Sequence, residues 1–180
     1  MNVVETALPS VLIIEPDVFG DERGFFLETF QSERYREQAG IALPFVQDNH
    51  SRSRRGVLRG LHAQRTRPQG KLVRVARGEV FDVAVDIDPA SATFGQWAGV
   101  TLSDRNHRQF WVPPGYAHGF VVISDEADFE YKCTDFYFPD DEIGLIWNDP
   151  AVGIEWPVAD PTLSDKDLAW PSLQELRKQT

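Results

Sequence analysis

Three observations predict an all-β sandwich or barrel. Short runs rich in Val, Ile and Phe recur through the middle of the chain, separated by Gly, Pro and Asp turns. One run, VFDVAVDID, alternates, with Phe81, Val83, Val85 and Ile87 on one side and Asp82, Asp86 and Asp88 on the other. Helical periodicity is scarce by comparison. The chain has 180 residues, 42% of them apolar and 26% charged. A chain of that size buries roughly two-thirds of its unfolded surface. No repeat, linker or composition break divides it, so a single domain over residues 1–180 is expected.

Taken in order, Ser32 is placed to cap a short helix that runs to about Ala39 and ends at Gly40. KLVRVA and VFDVAVDID, joined through Arg77-Gly78-Glu79, form the clearest pair of strands. FGQWAGVTL, RQFWVP, AHGFVVIS and DFEYKCTDFYF supply further ones, and a second short helix follows Pro171 in SLQELRKQ. Strand parity then sorts the polar residues. Lys71 shares a face with Val73 and Val75, Tyr131 with Phe129 and Cys133, and His118 with Phe120 and Val122. An inward lysine is costly unless its charge is paired or used. An inward Tyr or His is more commonly a core residue with its polar atom satisfied.

Charge and cysteine content narrow the class. A net charge of −10 opposes general binding to nucleic acid or to an anionic membrane. One cysteine excludes an intrachain disulfide framework and fits a reducing, cytoplasmic setting, and no signal peptide or membrane span is visible. The basic residues are not evenly spread. Nine of the eighteen Lys and Arg (Arg52, Arg54, Arg55, Arg59, Arg65, Arg67, Lys71, Arg74 and Arg77) fall in a segment without Asp or Glu. Either their charges pair with acids elsewhere or they gather around a phosphate-bearing small molecule, with Arg52, Arg54 and Arg55 in a turn-like, solvated stretch. Pro113, Gly115 and His118 match the second half of the cupin metal motif. The first half fails, because Ala63 and Gln64 follow His62 and only two histidine ligands remain. No metal is expected.

The sequence resembles the dTDP-4-dehydrorhamnose 3,5-epimerase family of metal-free cupin-like enzymes. The matching motifs are DERGFFLETF at 21–30, VQDNHSRSRRGVLRGLHAQ at 46–64, QGKLVRVARGEVFDVAVDI at 69–87, FWVPPGYAHGFVV at 110–122, YKCTDFY at 131–137 and LSDKD at 163–167. The resemblance implies a cupin-like jelly-roll barrel, no cofactor, and a homodimer in which an exchanged N-terminal strand reaches the other subunit's pocket. It implies a dTDP-linked 4-keto-6-deoxy sugar as substrate, epimerised at carbons 3 and 5. His62 is then the base, Tyr131 the acid, Asp167 the partner that orients His62, and Lys71 the cation beside the enolate oxygen. Arg23, Phe26, Glu28, Gln47, Asp48, Asn49, Arg59, His118, Glu142 and Lys166 are implied to bind substrate. Phe26 and either Phe136 or Tyr137 are the candidates to stack on thymine.

On a regular strand Arg59 and His62 face opposite ways, so a bulge or bend at Gly60 is expected. The chain departs from the family pattern at Ala63 beside the base, at Asp88-Pro89-Ala90 and at Phe136. Relatives that epimerise one carbon only share the motifs, so a mono-epimerase is the alternative. A binding module without chemistry would explain the basic segment but not His62, Lys71 and Tyr131 together.

Overall fold

The computed structural model describes residues 1–178. Its strands and helices run in the order β1 (Asn2–Glu5), β2 (Leu12–Glu15), β3 (Val18–Asp21), β4 (Gly24–Leu27), α1 (Ser32–Ala39), β5 (Gln47–Arg54), β6 (Leu58–Gln64), β7 (Lys71–Arg77) and β8 (Glu79–Asp86). They continue as β9 (Trp97–Ser103), β10 (Gln109–Val112), β11 (Tyr116–Val122), β12 (Glu126–Cys133), β13 (Glu142–Gly144), α2 (Asp165–Leu168) and α3 (Leu173–Arg177). One antiparallel sheet has the order β1-β2-β10-β7-β12-β5, and a second has the order β13-β6-β11-β8-β9. The two face each other as a jelly roll, while β3 and β4 pair only with one another. No helix among the described residues is long and apolar enough to cross a membrane.

The interior is apolar because alternate residues of both sheets point inward. Val73, Val75 and Phe129 come from one sheet, and Val80, Ala84, Phe120 and Val122 from the other. Phe120 and Phe129 meet across the gap as stacked rings, 4.0 Å between centroids and 18° between planes.

KLVRVA and VFDVAVDID are both strands, but they do not pair. β7 lies in the first sheet and β8 in the second, and the chain crosses between them at Gly78 (φ +84°). A Cβ there would stand 2.1 Å from the Glu126 carbonyl oxygen, so only glycine fits the corner. The alternation in β8 separates two buried faces rather than an inner from a solvent face. Val80 and Ala84 face the barrel interior, whereas Val83, Val85 and Ile87 pack outward beneath Leu145, Val152, Leu173 and Leu176. Both faces are covered, and Asp82, which shares parity with Val80 and Ala84, is fully buried.

The helices also differ in detail from expectation. Gln31, not Ser32, caps α1: its backbone is still extended, and its side-chain oxygen accepts the Arg34 N–H at 2.6 Å. Gly40 ends the helix in the left-handed conformation, as expected. Tyr35 anchors α1 on the sheet, donating to Gln109 Oε1 at 2.7 Å, and burial pushes its phenol up to about 12. α3 begins after Pro171 with a Ser172–Glu175 capping box. Of the expected helical run, Gln179 lies outside the described residues.

Candidate active site

A cavity of about 550 Å³ opens between the two sheets. β6 contributes Arg59 and His62, β11 His118, β7 Lys71, β12 Tyr131, and β5 Gln47 and Asn49, with Lys166 and Asp167 reaching in from α2.

Arg59 and His62 reach the same cavity because β6 bulges between them. Phe120 pairs with Arg59 and His118 with His62, so three steps on β6 match two on β11. Gly60 sits in the bulge at φ +129°, and a Cβ on it would lie 2.6 Å from Gly119 Cα. The expected irregularity is there, and backbone crowding is the reason for glycine.

His62 and Asp167 are 105 residues apart in sequence, yet Nε2 of the imidazole donates to Oδ1 of the carboxylate at 2.6 Å. Two features bring them together. The segment before α2 is tied to the start of β6, with Leu58 N–H on Thr162 O at 2.9 Å and Thr162 N–H on Gly56 O at 2.8 Å. Ser164 then caps α2 by accepting the Asp167 N–H at 3.2 Å. Trp170 braces the pair: its indole N–H donates to the same Oδ1 at 3.3 Å, and its ring stands edge-on to His62. Burial alone would raise the Asp167 carboxyl, but the contacts with His62, Ser164 and Trp170 outweigh it and hold it below the usual range. An ionised Asp167 on Nε2 leaves Nδ1 of His62 as the basic nitrogen.

Tyr131 belongs to the opposite sheet. Burial pushes its phenol above the ordinary value, which keeps it protonated at neutral pH. Lys71 lies on the same sheet as Tyr131, and burial lowers its ammonium, opposed first by Cys133 and then by Asp82 and Glu142. On the facing sheet Nε2 of His118 meets Oδ1 of the buried Asp82 at 2.8 Å. At the mouth, Tyr137 Oη donates to Glu142 Oε2 at 3.1 Å and Lys166 Nζ donates to the same oxygen at 2.8 Å.

The structure thus gathers His62, Tyr131, Asp167, Lys71, Gln47, Asn49, Arg59, His118, Glu142 and Lys166 around one cavity. Four expected residues lie elsewhere. Asp48 points out of the barrel by the two-residue period of β5 and pairs with Lys132 at 3.0 Å. Arg23, Phe26 and Glu28 sit on or just after the β3–β4 hairpin, away from this chain's cavity, with Arg23 paired to Asp21 and Glu28 to Arg34. Of the two aromatic candidates, Tyr137 lines the cavity and Phe136 does not.

The basic segment is mostly neutralised locally. Arg52 forks onto Asp128 at 2.7 and 2.8 Å, and Arg55, Arg67, Arg74 and Arg77 pair with Asp125, Asp135, Glu130 and Glu126. Arg52 and Arg54 are strand residues of β5, not turn residues. Only Arg59 and Lys71 of that segment line the cavity. Sequence reasoning missed three contributors: Asp82, Trp170 and Gln64, whose amide holds the Arg67 and Phe136 carbonyls and accepts the Phe138 N–H. For Asp82 the signal was its parity with Val80 and Ala84, had that face been read as the inner one.

A family model described as dTDP-4-dehydrorhamnose 3,5-epimerase matches residues 5–175. The chain is 59% identical over 169 residues to the dTDP-4-dehydrorhamnose 3,5-epimerase of Shigella flexneri, covering 93% of each. A crystal structure of a dTDP-6-deoxy-D-glucose-3,5-epimerase from Legionella pneumophila Philadelphia 1, in complex with dTDP-4-keto-L-rhamnose, is 56% identical. It superposes with a TM-score of 0.94 over 97% of this chain and 96% of that one. A 3'-monoepimerase from Streptomyces bikiniensis, in complex with dTDP-quinovose, reaches a TM-score of 0.91 over 97% and 89% of the two chains at 32% identity. The fold is common to both activities, and the closer sequence identity lies with the double epimerases.

Proposed function

The chain belongs to the dTDP-4-dehydrorhamnose 3,5-epimerase family, and from that premise we propose how its cavity inverts carbons 3 and 5 of dTDP-4-dehydro-6-deoxy-D-glucose to give dTDP-4-dehydro-L-rhamnose. The carbon 4 ketone acidifies the protons on both neighbours. Nδ1 of His62 removes one of these protons, and the electron pair moves onto the ketone oxygen as an enolate. Lys71, with His118 as a further donor, stabilises that oxygen in the barrel interior. Tyr131 then delivers its phenolic proton to the same carbon from the other face, and the carbonyl re-forms. Both groups return to their resting states by exchange with water, so each inverted carbon acquires a solvent proton.

One observation carries this reading. The base and the acid stand on opposite sheets, His62 on β6 and Tyr131 on β12, and line one cavity between them. Inversion requires a proton to leave one face of a carbon and another to arrive on the opposite face, and two facing walls supply that geometry. A binding module would have no use for it. Arg59 and the Tyr137–Glu142–Lys166 cluster are suited to the nucleotide diphosphate end, with Tyr137 stacking on the base.

Product analysis by NMR in deuterated water tests the assignment. Deuterium at carbons 3 and 5 is expected, and label at a single carbon would instead identify a mono-epimerase. We further propose a cytoplasmic homodimer whose second copy supplies Arg23, Phe26 and Glu28. The β3–β4 hairpin supports this: Phe19, Phe25 and Phe26 are 65%, 62% and 70% exposed, on a ribbon paired with neither large sheet. Light scattering of the wild type should give twice the chain mass, and charged residues at 25 and 26 should lower it.

A further inference from the structure

Beneath the cavity, inside the barrel, lies a carboxylate that the mechanism above leaves unused. Asp82 is fully buried, one oxygen meets His118 Nε2 at 2.8 Å, and the other is the single buried side-chain polar atom among the described residues without a hydrogen-bond partner. Such an atom is rare, because leaving it unpaired in a low-dielectric interior is costly. A buried carboxylate is tolerated when it serves another charge. Burial pushes the Asp82 carboxyl up, and His118 first and then Lys71 across the barrel hold it back toward the charged form, while the Lys71 ammonium, lowered by its own burial, is supported in turn by Asp82.

We propose that Asp82 is a positioning residue for the enolate cradle, a sealed carboxylate that fixes the His118 ring through Nε2 and serves as counter-ion to the Lys71 ammonium. The inference rests on the reading that Lys71 and His118 face the enolate oxygen. With Nε2 donating to Asp82, Nδ1 is the nitrogen His118 can turn toward substrate, and it donates to the enolate oxygen only when the ring carries both protons, a charge that the Asp82 carboxylate offsets. The ring is also stacked beside Phe129, 6.2 Å between centroids, which restricts the alternatives. The titratable and charged groups around Lys71 and Asp82 are His118 of β11, Tyr131 and Cys133 of β12 and Glu142 of β13. Burial holds the Tyr131 phenol and the Cys133 thiol above their ordinary values. Lys71 is therefore the group whose loss of charge should set the alkaline limit of the rate. Its protonation is lowered by burial and supported by Asp82, so removing the Asp82 charge moves that limit to lower pH.

Asp82→Asn keeps the shape and an acceptor for His118 and deletes the charge. Deuterium exchange at carbons 3 and 5 of the keto-sugar nucleotide, the pH profile of kcat and dTDP affinity should be measured for wild type, D82N, K71M and the double variant. We expect kcat to fall about 10- to 10²-fold in D82N, less than the about 10²–10³-fold of a lost oxyanion donor, because Asp82 acts only through Lys71 and His118. We expect dTDP affinity to stay within about threefold, the alkaline limb to shift to lower pH, and the double variant to be no slower than K71M alone. A wild-type alkaline limb in D82N, or losses that multiply with K71M, would overturn the proposal while the epimerase reading stands. Absence of exchange in the wild type would sink both. Should D82N not fold, ¹⁵N NMR of the wild-type imidazoles decides: a protonated, hydrogen-bonded His118 Nε2 supports the proposal and a bare Nε2 refutes it.

Discussion

Replacing Asp167 with Asn removes a charge from beside the base without changing its outline, and the geometry sets the size of the effect. The His62–Asp167 contact is 2.6 Å, and the imidazole side chain is 25% exposed while the carboxylate side is 5% exposed. When His62 takes the substrate proton it becomes a cation facing that carboxylate. Unit charges about 4 Å apart at an effective dielectric of about 20 attract by about 4 kcal/mol. Water reaching the exposed part of the ring screens up to roughly half of that, leaving about 2–4 kcal/mol, or about 30- to 10³-fold in rate. The amide oxygen can still accept from Nε2, helped by the Trp170 N–H that already fixes the orientation of Oδ1. The productive tautomer therefore survives, and so should some turnover. The assay is wash-in of deuterium at carbons 3 and 5, followed separately, together with dTDP binding. Both exchanges should slow by the same factor while dTDP affinity holds within about twofold, since one imidazole serves both carbons. Exchange at one carbon slowed and the other untouched would refute the shared base. Rates within about threefold of wild type at both would show that the carboxylate does not support catalysis.

Tyr131→Phe should lower kcat by about 10²–10⁴-fold with dTDP affinity nearly intact, because the hydroxyl is needed as an acid; calorimetry showing an equal loss of binding would make it an anchor instead. Extended dialysis against a strong chelator should leave the rate unchanged, and recovery of activity on adding a divalent metal would contradict the acid–base reading. Gly60→Ala should destabilise the fold by about 2 kcal/mol or more, because backbone atoms of Gly119 and His118 cannot yield to a methyl group. An unchanged denaturant midpoint would contradict that.

Much of this was legible in the sequence because strand parity is a strong signal. Lys71, His118 and Tyr131 were marked as inward by their neighbours alone, and all three line the cavity. The bulge at Gly60 followed from requiring Arg59 and His62 to share a pocket. What parity does not carry is which face of a strand is inside when both faces are buried. β8 is covered on each side, so its alternation separates the two faces without saying that the one with Asp82 is the barrel interior. Nor does local pattern reveal pairings across more than a hundred residues. The His62–Asp167 contact came from family likeness, and Trp170 went unnoticed because it acts only after α2 has docked. Asp48 failed for the opposite reason, since a motif carried over as a block ignores the alternation that sends its middle residue outward.

The stacked rings of Phe120 and Phe129 have a consequence beyond packing. Each comes from a different wall, and each wall also carries one of the two groups proposed to transfer protons, so the 4.0 Å between these rings would act as a caliper for the gap proposed to hold the sugar. Close-packed interiors yield little, so the caliper is stiff. A misplacement of about 1 Å between reacting groups can cost about a hundredfold in rate. Two hydrocarbon rings with nothing to donate, accept or titrate thereby set the tolerance of the reaction, and an apparently harmless exchange of Phe129 for a smaller hydrophobe would detune turnover while leaving every ionisable group in place.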